Sequence, residues 1–492
     1  AAVPEILKFT ELKCPFVRQI AHAKLDAAAI ENFMFVCPSM SSRDPSTVTI
    51  VDDRSDRQKA AESAPANSGA RCPFVAHQKQ NLYETKFKDV KAKLLEEGRY
   101  RTFANIQRHC GNFPNATLYP SKTNPCPQAA PAAKASQPPV GSRVRVFCSN
   151  DYLGMGQDTR VMEAAKTAID QSGVGSGGTR NISGNTKFHE ALELKLAEIH
   201  QKEAALVCTS GYVANEAAIS ALGQSIPNLM IFSDSDNHAS LISGIRSSKC
   251  EKALFRHNDT EHLEELLRSV PIDRPKLIVF ESVYSMCGSV APMERICELA
   301  DRYNALTLVD EVHAVGMYGD RGAGIAERDG LLNRIDIITG TLGKAYGVSG
   351  GYIAGSGPYV DCVRSTAASF IFTTSIPPMV AAAALAAVTH LSESSKEREL
   401  QQLRAAQLKA KLISRGFPVL PGPTHIVPVL IGDPVRTKAL TDSLLKNHGI
   451  YLQPINYPTV PRGTERIRVT PGPLHSEQDL DDLVSALEQE WT

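Results

Sequence analysis

The sequence predicts an α/β fold in which a mainly parallel β-sheet is covered by helices on both faces. From about residue 144 onward, short apolar runs rich in Val, Ile and Leu alternate with helix-length segments, the pattern of repeated βαβ units. The 492 residues exceed the size of one hydrophobic core, so more than one packed unit is expected. The predicted strands cover residues 204–209, 229–233, 277–282, 306–310 and 335–339.

The composition is that of a large globular protein without a charged partner surface. Lys and Arg number 53 and Asp and Glu also number 53, so the chain has no net field to attract a nucleic acid or an anionic membrane. It contains no apolar run of about 18 residues, so no membrane span is expected. The 11 cysteines lack CxxC spacing, which argues against a metal site and favours a reducing compartment.

Shifts in composition divide the chain into four predicted parts. A leader is expected to be poorly ordered because it contains a polar Ser, Asp, Arg and Ala tract. An amphipathic helix from Tyr83 to near Gly98 and a Pro/Ala-rich insertion at 120–139 follow it, and later a single long helix is expected over 381–415. The predicted parts are the leader (1–80), the helix and insertion (81–143), a large α/β domain (144–390) and a small α+β domain (391–492).

Four cysteines are each followed by proline: Cys14, Cys37, Cys72 and Cys126. A cysteine thiolate can ligate haem iron, and the proline after it turns the chain so that the sulfur stays presented. The alternative is that Cys-Pro is a dipeptide common in loops, which is the better explanation for any single pair. The repetition leads us to predict regulatory haem binding at these four residues.

Residues 335–351 contain a short apolar strand followed by a Gly-rich loop with one lysine, Lys344. Gly340, Gly343 and Gly347 are expected to end regular structure around this lysine. A phosphate clamp of the G-x-x-x-x-G-K-[ST] type is excluded, because only two residues separate Gly340 from Gly343 and Ala345 follows the lysine. Two interpretations remain: a solvated loop lysine, and an amine that forms a Schiff base with a carbonyl cofactor.

Reactive side chains follow successive predicted strands. Ser210, His238 and Ser285 come after the first three, Asp310 ends the fourth, and Lys344 follows the fifth. The carboxyl ends of parallel strands meet at one edge of the sheet, where α/β proteins bind small molecules. The sequence therefore predicts a ligand crevice lined by these residues.

Asp310 closes a buried strand, where a carboxylate is costly unless a positive group stabilises it. A protonated pyridine nitrogen would be such a group, and this points to pyridoxal phosphate, whose charged ring is an electron sink. His313 could then hydrogen-bond the phenolic oxygen of the ring and His238 could stack on its face. Each histidine taken alone is as readily explained as a structural residue.

The DEVH string at Asp310 also resembles a nucleotide-hydrolysing box. That function needs an earlier P-loop, and the Gly-rich stretch 173–184 contains no lysine. The same stretch fails the dinucleotide pattern, since Arg180 stands where G-x-G-x-x-G requires glycine. Both nucleotide-binding interpretations are therefore rejected.

An ordered series of motifs resembles the α-oxoamine synthase family of fold-type I pyridoxal phosphate-dependent transferases, from about residue 80 to the C-terminus. The resemblance implies a seven-stranded-type sheet and a homodimer with shared active sites. Within the family, GGTRNISG with Tyr100 and Arg101 favours the member that acts on glycine and succinyl-CoA. The motifs are SNDYLG (149–154), GSGGTRNISG (175–184), SDSDNHAS (233–240), ESVYSMCG (281–288), LVDEVHAVG (308–316), TGTLGKAYG (339–347), FIFTTSIPP (370–378), NYPTVPRG (456–463) and RIRVTP (466–471).

The resemblance assigns roles to individual residues. Lys344 is similar to the lysine that binds the cofactor and transfers protons, with Asp310, His313 and His238 as the other catalytic residues. The cofactor shell would further contain Gly211, Tyr212, Ser285 and Thr341, with Thr373 and Thr374 reaching it from the other subunit. Substrates would be held by Arg101, Asn150, Thr179, Asn181, Ser233, Lys252, Thr459 and Arg468.

The implied reaction joins glycine to the succinyl group, with loss of coenzyme A and carbon dioxide, in the mitochondrial matrix at the start of haem biosynthesis. Two alternatives stay open. A sister synthase of the 2-amino-3-oxobutyrate or 8-amino-7-oxononanoate type would use another acyl chain with the same chemistry. A non-catalytic haem-binding protein would need neither Lys344 nor a cofactor.

Overall fold

The computed structural model describes residues 73–120 and 141–491. The chain divides into two units, residues 1–84 and 85–492, and everything below concerns the second except the first half of helix α1. The four Cys-Pro cysteines and most of the Pro/Ala-rich insertion lie outside the described residues. The described strands are β1 (Asn105–Arg108), β2 (Asn115–Tyr119), β3 (Ser142–Val146), β4 (Ala204–Cys208), β5 (Met230–Asp234), β6 (Glu251–Phe255), β7 (Lys276–Glu281), β8 (Ala305–Asp310), β9 (Ile337–Thr341), β10 (Gly351–Gly355), β11 (Val427–Leu430), β12 (Ile450–Tyr451), β13 (Pro454–Ile455) and β14 (Arg466–Val469).

The described helices surround these strands, and several begin with a side-chain cap. Ser210, Asp259 and Ser476 each accept a backbone N–H from the first turn of the helix that follows. The helices are α1 (Pro73–Glu96), α2 (Thr159–Ser172), α3 (Lys187–Ile199), α4 (Gly211–Ser225), α5 (Ala239–Ser248), α6 (Thr260–Arg268), α7 (Met293–Tyr303), α8 (Ile325–Arg328), α9 (Gly357–Thr366), α10 (Ala368–Ile371), α11 (Pro378–Glu393), α12 (Lys396–Ser414), α13 (Pro434–His448) and α14 (Glu477–Glu490).

A seven-stranded sheet forms the centre of the large α/β part, in the order β4-β10-β9-β8-β7-β5-β6. Strands β9, β8, β7, β5 and β6 run parallel, whereas β10 is antiparallel to both of its neighbours, β4 and β9. Strands β5, β7, β9 and β10 are buried along their whole length because helices cover both faces. The predicted fold class, including the sheet of seven strands, is confirmed.

The five predicted strands are present, with ends within two residues of those expected, but β6 and β10 were missed. Strand β6, with the sequence EKALF, lies at the exposed edge of the sheet and lacks an apolar run. Strand β10, GYIAG, is short and has a glycine at each end. Neither segment carries the hydrophobic pattern on which the prediction depended.

The expectation that Gly340 would end regular structure is wrong. Gly340 lies inside β9, and a Cβ at this position would lie 2.3 Å from the ring of Tyr352 on the neighbouring strand β10. The glycine therefore makes room for an aromatic ring inside the sheet. The loop that carries Lys344 starts only after Thr341.

The single helix expected over 381–415 is two helices, α11 and α12. Ser394 between them is extended, with φ −120° and ψ 132°, and its hydroxyl donates to Glu397 at the start of α12. Serine side chains that bond to nearby polar groups favour helix ends over helix interiors. The local sequence SESSKE therefore interrupts the helix.

Two smaller sheets accompany the large one. One has the order β1-β2-β3-β12 and the other the order β11-β14-β13. Helices α12, α13 and α14 pack with the second of these sheets around a separate apolar core that includes Leu412, Leu444 and Leu483. The C-terminal part is thus α+β, and its strand β14 carries Arg468 toward the large sheet.

Helix α1 ends close to the predicted position, at Glu96, and Gly98 after it adopts a positive φ of 64°. Its apolar side chains Leu82, Tyr83, Phe87 and Val90 are 54–70% exposed. Within the described residues, none of the helices has the length and apolar character needed to cross a membrane.

Candidate active site

The predicted reactive residues meet at the carboxyl-end edge of the large sheet. Ser210 caps α4 directly after β4, His238 precedes α5 after β5, and Ser285 follows β7. Asp310 is the last residue of β8, and Lys344 lies three residues beyond β9. The prediction of a crevice lined by these side chains is consistent with this placement.

Asp310 is fixed at the bottom of the site. It is only 4% exposed, its Oδ1 accepts the backbone N–H of Val312 at 2.8 Å, and its Oδ2 accepts the side-chain amide of Asn215 at 2.6 Å. Burial raises the pKa of Asp310, while the Val312 N–H and the nearby Lys344 counteract that rise. A carboxylate held in this way is suited to a cationic hydrogen-bond donor such as a pyridinium N–H.

Lys344 is joined to two other side chains in a chain of hydrogen bonds. Its Nζ lies 2.9 Å from Nε2 of His313, and Nδ1 of His313 lies 2.8 Å from the hydroxyl of Tyr152. Burial lowers the pKa of Lys344 to about 8, with Arg468 adding to the effect and Asp310 opposing it. Burial also places the pKa of His313 well below its ordinary value, so this imidazole is neutral. The amine is therefore poised to exchange protons near neutral pH.

His238 is exposed and anchored from two sides. Its Nδ1 lies 2.7 Å from the Ser240 hydroxyl, and its backbone N–H donates to the Glu281 carboxylate at 2.6 Å. Glu281 is 3% exposed, and burial together with Asp310 raises its pKa well above the ordinary value. The imidazole is thus held in a fixed place at the pocket, and the residue is exposed.

The start of helix α4 is built to accept an anion. Its first residues, Gly211 and Tyr212, follow the capping residue Ser210, and Thr341 of β9 lies beside them. A Cβ on Gly211 would lie 3.3 Å from Cβ of Thr341, so these backbones approach closely. Free N–H groups at a helix N-terminus favour phosphate, and α4 has 15 residues.

Arg468 reaches the pocket from the small sheet. Its Nη2 donates to the side-chain oxygen of Asn150 at 2.8 Å, and its Nη1 donates to the backbone carbonyl of Ser285 at 3.2 Å. These contacts hold the guanidinium beside Lys344, whose pKa it lowers. A fixed guanidinium suits a carboxylate ligand, which it can bind through two parallel hydrogen bonds.

The remaining predicted substrate residues do not form one cluster. Thr179 and Thr374 face each other in a short antiparallel pairing, and Asn181 is exposed beside them. Arg101 lines an open groove of about 690 Å³ that also contains Tyr457 and Pro458. Thr459, next to this groove in sequence, is exposed.

Two predicted substrate residues and one cofactor residue have other surroundings. Ser233 is 1% exposed, and its hydroxyl bonds to Asp234 O and to the Asn237 amide, so it is occupied within the protein. Lys252 lies on the exposed edge strand β6. Thr373 donates its hydroxyl to the carbonyl of Ser369 in the same chain.

Tyr152 and Glu281 contact the site but were not predicted as site residues. Both lie in motifs that the sequence had singled out, SNDYLG and ESVYSMCG. Their partners, His313 and His238, are 161 and 43 positions away in the chain. Only folding brings these pairs together, so the motifs were the sole signal.

Comparisons with known proteins give a consistent result. The family model described as Aminotransferase class I and II matches residues 143–487. The chain is 53% identical over 410 residues to "5-aminolevulinate synthase" of Rhizobium meliloti, covering 83% of this chain and 97% of that protein. It is 48% identical over 426 residues to "5-aminolevulinate synthase, mitochondrial" of Yarrowia lipolytica, covering 84% of this chain and 72% of that protein.

The solved structure of serine palmitoyltransferase from Sphingomonas wittichii has a similar fold. It superimposes with a TM-score of 0.73 at 27% identity and covers 83% of this chain and 96% of that chain.

Proposed function

Because this chain belongs to the 5-aminolevulinate synthase family, within the class I and II aminotransferases, we propose that its pocket condenses glycine with succinyl-CoA. The products are 5-aminolevulinate, coenzyme A and carbon dioxide. The protein is a pyridoxal phosphate-dependent acyltransferase of haem biosynthesis. The observation that carries the residue assignment is the pairing of Lys344 with His313, in a pocket whose floor is the buried carboxylate of Asp310.

The residues present fit pyridoxal phosphate. Asp310 would hold the pyridine nitrogen in its protonated form, His238 would lie against the ring, and His313 and Ser285 would lie near the phenolic oxygen. The phosphate would bind at the start of α4, with Gly211, Tyr212 and Thr341. When bound, the cofactor supplies an electron sink for negative charge at the glycine α-carbon.

Lys344 would remove the α-proton of glycine and later return a proton to the product. Its pKa of about 8 suits both tasks, since an amine near its pKa gives and takes protons readily. The neutral His313 keeps Nε2 directed at Nζ, because the Tyr152 hydroxyl occupies its other ring nitrogen. These residues thus position the proton that the reaction moves.

Arg468 would bind the glycine carboxylate, with Asn150 beside it. Its two hydrogen bonds within the protein fix the plane of the guanidinium before a ligand arrives, which reduces the entropy lost on binding. Arg101, Thr179 and Asn181 would hold the succinyl carboxylate, and Ser233, Lys252 and Thr459 remain candidates for coenzyme A contacts. The open groove at Arg101 supports entry of the thioester from that side.

A homodimer with shared active sites is supported by apolar side chains that the single chain leaves exposed near the pocket. Ile182 is 77% exposed and Phe372 is 81% exposed, and they lie on segments joined by the pairing of Thr179 with Thr374. Exposed apolar side chains in such proximity mark interaction surfaces. Thr373 and Thr374 would reach the cofactor of the other subunit.

The test of the proposed chemistry is spectroscopic. Purified protein with pyridoxal phosphate should absorb above 400 nm (on the order of 420 nm), and glycine should change that spectrum, because the cofactor exchanges its amine partner. Lys344→Ala should lose about 1000-fold or more in kcat while keeping its fold. A sister synthase would be revealed by a different acyl-CoA preference together with indifference to Arg101→Leu.

Two further parts of the proposal concern the location of the protein in the cell and the Cys-Pro sites, which lie outside the described residues. We place the protein in the mitochondrial matrix, which the naming of the Yarrowia lipolytica relative supports. We also propose that haem binds the Cys-Pro sites at Cys14, Cys37, Cys72 and Cys126. A haem titration of the variant with all four cysteines changed to alanine should show lost affinity, and unchanged affinity would refute this. The four-part division of the chain stays a prediction.

A further inference from the structure

A second cluster of polar side chains lies at the same edge of the sheet, where β5, β6 and β7 end. Asp234 is the last residue of β5, His257 lies two residues past β6, and Cys287 and Ser289 lie in the loop after β7. Nδ1 of His257 is 3.0 Å from the Asp234 carboxylate and Nε2 is 2.9 Å from the Ser289 hydroxyl. That hydroxyl is 3.1 Å from the Cys287 sulfur. A carboxylate, an imidazole, a hydroxyl and a thiol therefore form one continuous chain.

The carboxylate of Asp234 decides which atom of each pair donates the hydrogen bond. Asp234 is 2% exposed and also accepts the backbone N–H groups of Asp236 and Asn258, so an ionised Asp234 accepts a proton-bearing Nδ1. Although burial works against it, the bond to Asp234 raises the pKa of His257 to about 10, and the imidazole therefore carries hydrogen on both nitrogens. Nε2 then donates to the Ser289 hydroxyl oxygen, so the hydroxyl hydrogen of Ser289 can be donated to the Cys287 sulfur. The sulfur receives a hydrogen bond, the arrangement that stabilises a thiolate.

Charged and titratable groups of both signs surround the cluster. Asp236 lies 3.9 Å from Nδ1 of His257, and Tyr284 packs its ring edge-on against the imidazole at 4.3 Å. Arg466, from β14, donates to the carbonyl of Met286 and brings a fixed positive charge to the same loop. Tyr284 is 2% exposed, and its hydroxyl lacks a hydrogen-bond partner among the described residues.

The Cys287 thiol differs in its pKa from the buried cysteines within residues 73–120 and 141–491. Burial raises the pKa of its thiol, but the nearby His257 imidazole and the hydrogen bond with Ser289 outweigh this and the pKa is lowered. In the buried Cys297 and Cys208, burial raises the pKa of the thiol to about 11 and to about 12 respectively. Cys287 is also partly exposed, so a small reagent can reach it.

We propose that Cys287 is a reactive thiolate that hydroperoxides oxidise, and that this oxidation lowers the activity of the neighbouring pocket. In the step, the sulfur attacks one peroxide oxygen, an S–O bond forms and the O–O bond breaks. The sulfur loses two electrons, the peroxide gains them, and the second oxygen leaves as hydroxide or alkoxide and takes a proton from water. Two equivalents of a thiol reductant reverse the step, releasing water and a disulfide.

The link to activity is the loop itself. Ser285 O and Met286 O, the carbonyls just before Cys287, accept hydrogen bonds from Arg468 and Arg466. An added oxygen on the sulfur must be accommodated within this loop and disturbs the guanidinium that we assign to the glycine carboxylate. This second half of the inference rests on the proposed function, whereas the reactivity of the thiol does not.

The first test measures the reactivity without turnover. The full chain is alkylated with iodoacetamide between pH 5.5 and 9, and each cysteine is followed by peptide mass spectrometry, with the exposed Cys110 as internal reference. At pH 6.5 Cys287 should react about tenfold faster than Cys110, because its thiolate fraction is larger although its intrinsic nucleophilicity is smaller. His257→Gln should remove that difference, and His448→Gln, at a partly buried histidine that pairs with Glu490 instead, should keep it. Equal rates for Cys287 and Cys110 in the unmodified protein overturn the proposal even if His257→Gln does not fold.

The second test measures the consequence. Hydrogen peroxide should make Cys287 reactive to dimedone and lower the synthase activity at least fivefold, dithiothreitol should restore it, and Cys287→Ala should resist the loss. Full activity in protein whose Cys287 is completely labelled overturns the regulatory half. Failure of the proposed function can be told apart from failure of this inference. In that case the protein would have no synthase activity even before oxidant is added, while the labelling of Cys287 would be unchanged.

Discussion

At the scale of single residues, the structure singles out Tyr152 as the group that positions His313 and Lys344, the proposed catalytic pair. Its hydroxyl is the hydrogen-bond partner of Nδ1 of His313, and the other ring nitrogen faces Lys344. Tyr152→Phe leaves Nδ1 unpaired in a buried site and allows the imidazole to change tautomer. We expect kcat to fall about tenfold and the pH profile of kcat to shift, as measured by steady-state kinetics between pH 6 and 9.

The matched control for this prediction is Tyr352→Phe. The Tyr352 hydroxyl makes the same kind of buried bond, 2.8 Å to Nε2 of His200, and neither residue is among those assigned to the pocket. Both variants should lose a similar amount of stability, on the order of 1–2 kcal/mol, but only the first should lose kcat. Equal kinetic effects in the two would show that Tyr152 acts through stability alone.

A single site residue could be predicted from the sequence only when the groups that define its position are close to it in the chain. Lys344 and Asp310 could be identified because each lies next to its own strand, and strand ends locate a crevice. Tyr152 and Glu281 could not, since the groups they hold are distant in the chain. The coenzyme A contact at Ser233 stays a prediction, and the bonds of its hydroxyl to Asp234 and Asn237 are visible only in the folded protein.

At the scale of elements, the pairing of β9 with β10 depends on glycine at position 340. A Cβ there would lie 2.3 to 2.6 Å from two ring carbons and the hydroxyl oxygen of Tyr352, closer than any side chain tolerates, and both strands are fully buried. Gly340→Ala should therefore destabilise the protein by about 3 kcal/mol, the upper range for overpacked cores. Urea unfolding measures the difference.

Gly343→Ala is the comparison within the same segment. A Cβ at Gly343 would meet only Thr341 Oγ1 at 3.6 Å and Val348 O at 3.9 Å, which are ordinary contacts. Its stability should change by less than about 1 kcal/mol. If the two alanine variants unfolded at the same urea concentration, the close approach of Tyr352 would not explain why β9 has a glycine at position 340.

Strands β6 and β10 show why the elements were only partly predictable from the sequence. Runs such as LIVF in β7 predict a buried strand because their apolar side chains need cover on both faces. Strand β10 has two glycines and is defined by its antiparallel partners, and β6 is held at the edge by backbone hydrogen bonds to β5. Tertiary pairing, not local pattern, makes these two segments strands.

At the scale of the whole molecule, the proposed dimer predicts that a single chain is incomplete as an enzyme. The central sheet and its helices bury the catalytic groups, but the loops that carry Thr179, Asn181 and Thr374 are open on one side. Ile182 and Phe372, large apolar residues on those loops, are 77% and 81% exposed. In the proposed dimer the second subunit covers them and closes the pocket.

Phe372→Asp should therefore separate the subunits. Placing a charge where a buried aromatic ring belongs costs several kcal/mol, because the carboxylate loses its hydration without gaining a partner. The mass measured by light scattering after size exclusion should fall from about twice the 53.3 kDa of one chain to that of a single chain, and activity should fall with it. Ile413→Asp is the control, since Ile413 is 61% exposed on helix α12 and is not among the residues we assign to the dimer surface. A Phe372→Asp protein with unchanged mass and activity would mean that the loops around Thr374 do not form the shared site.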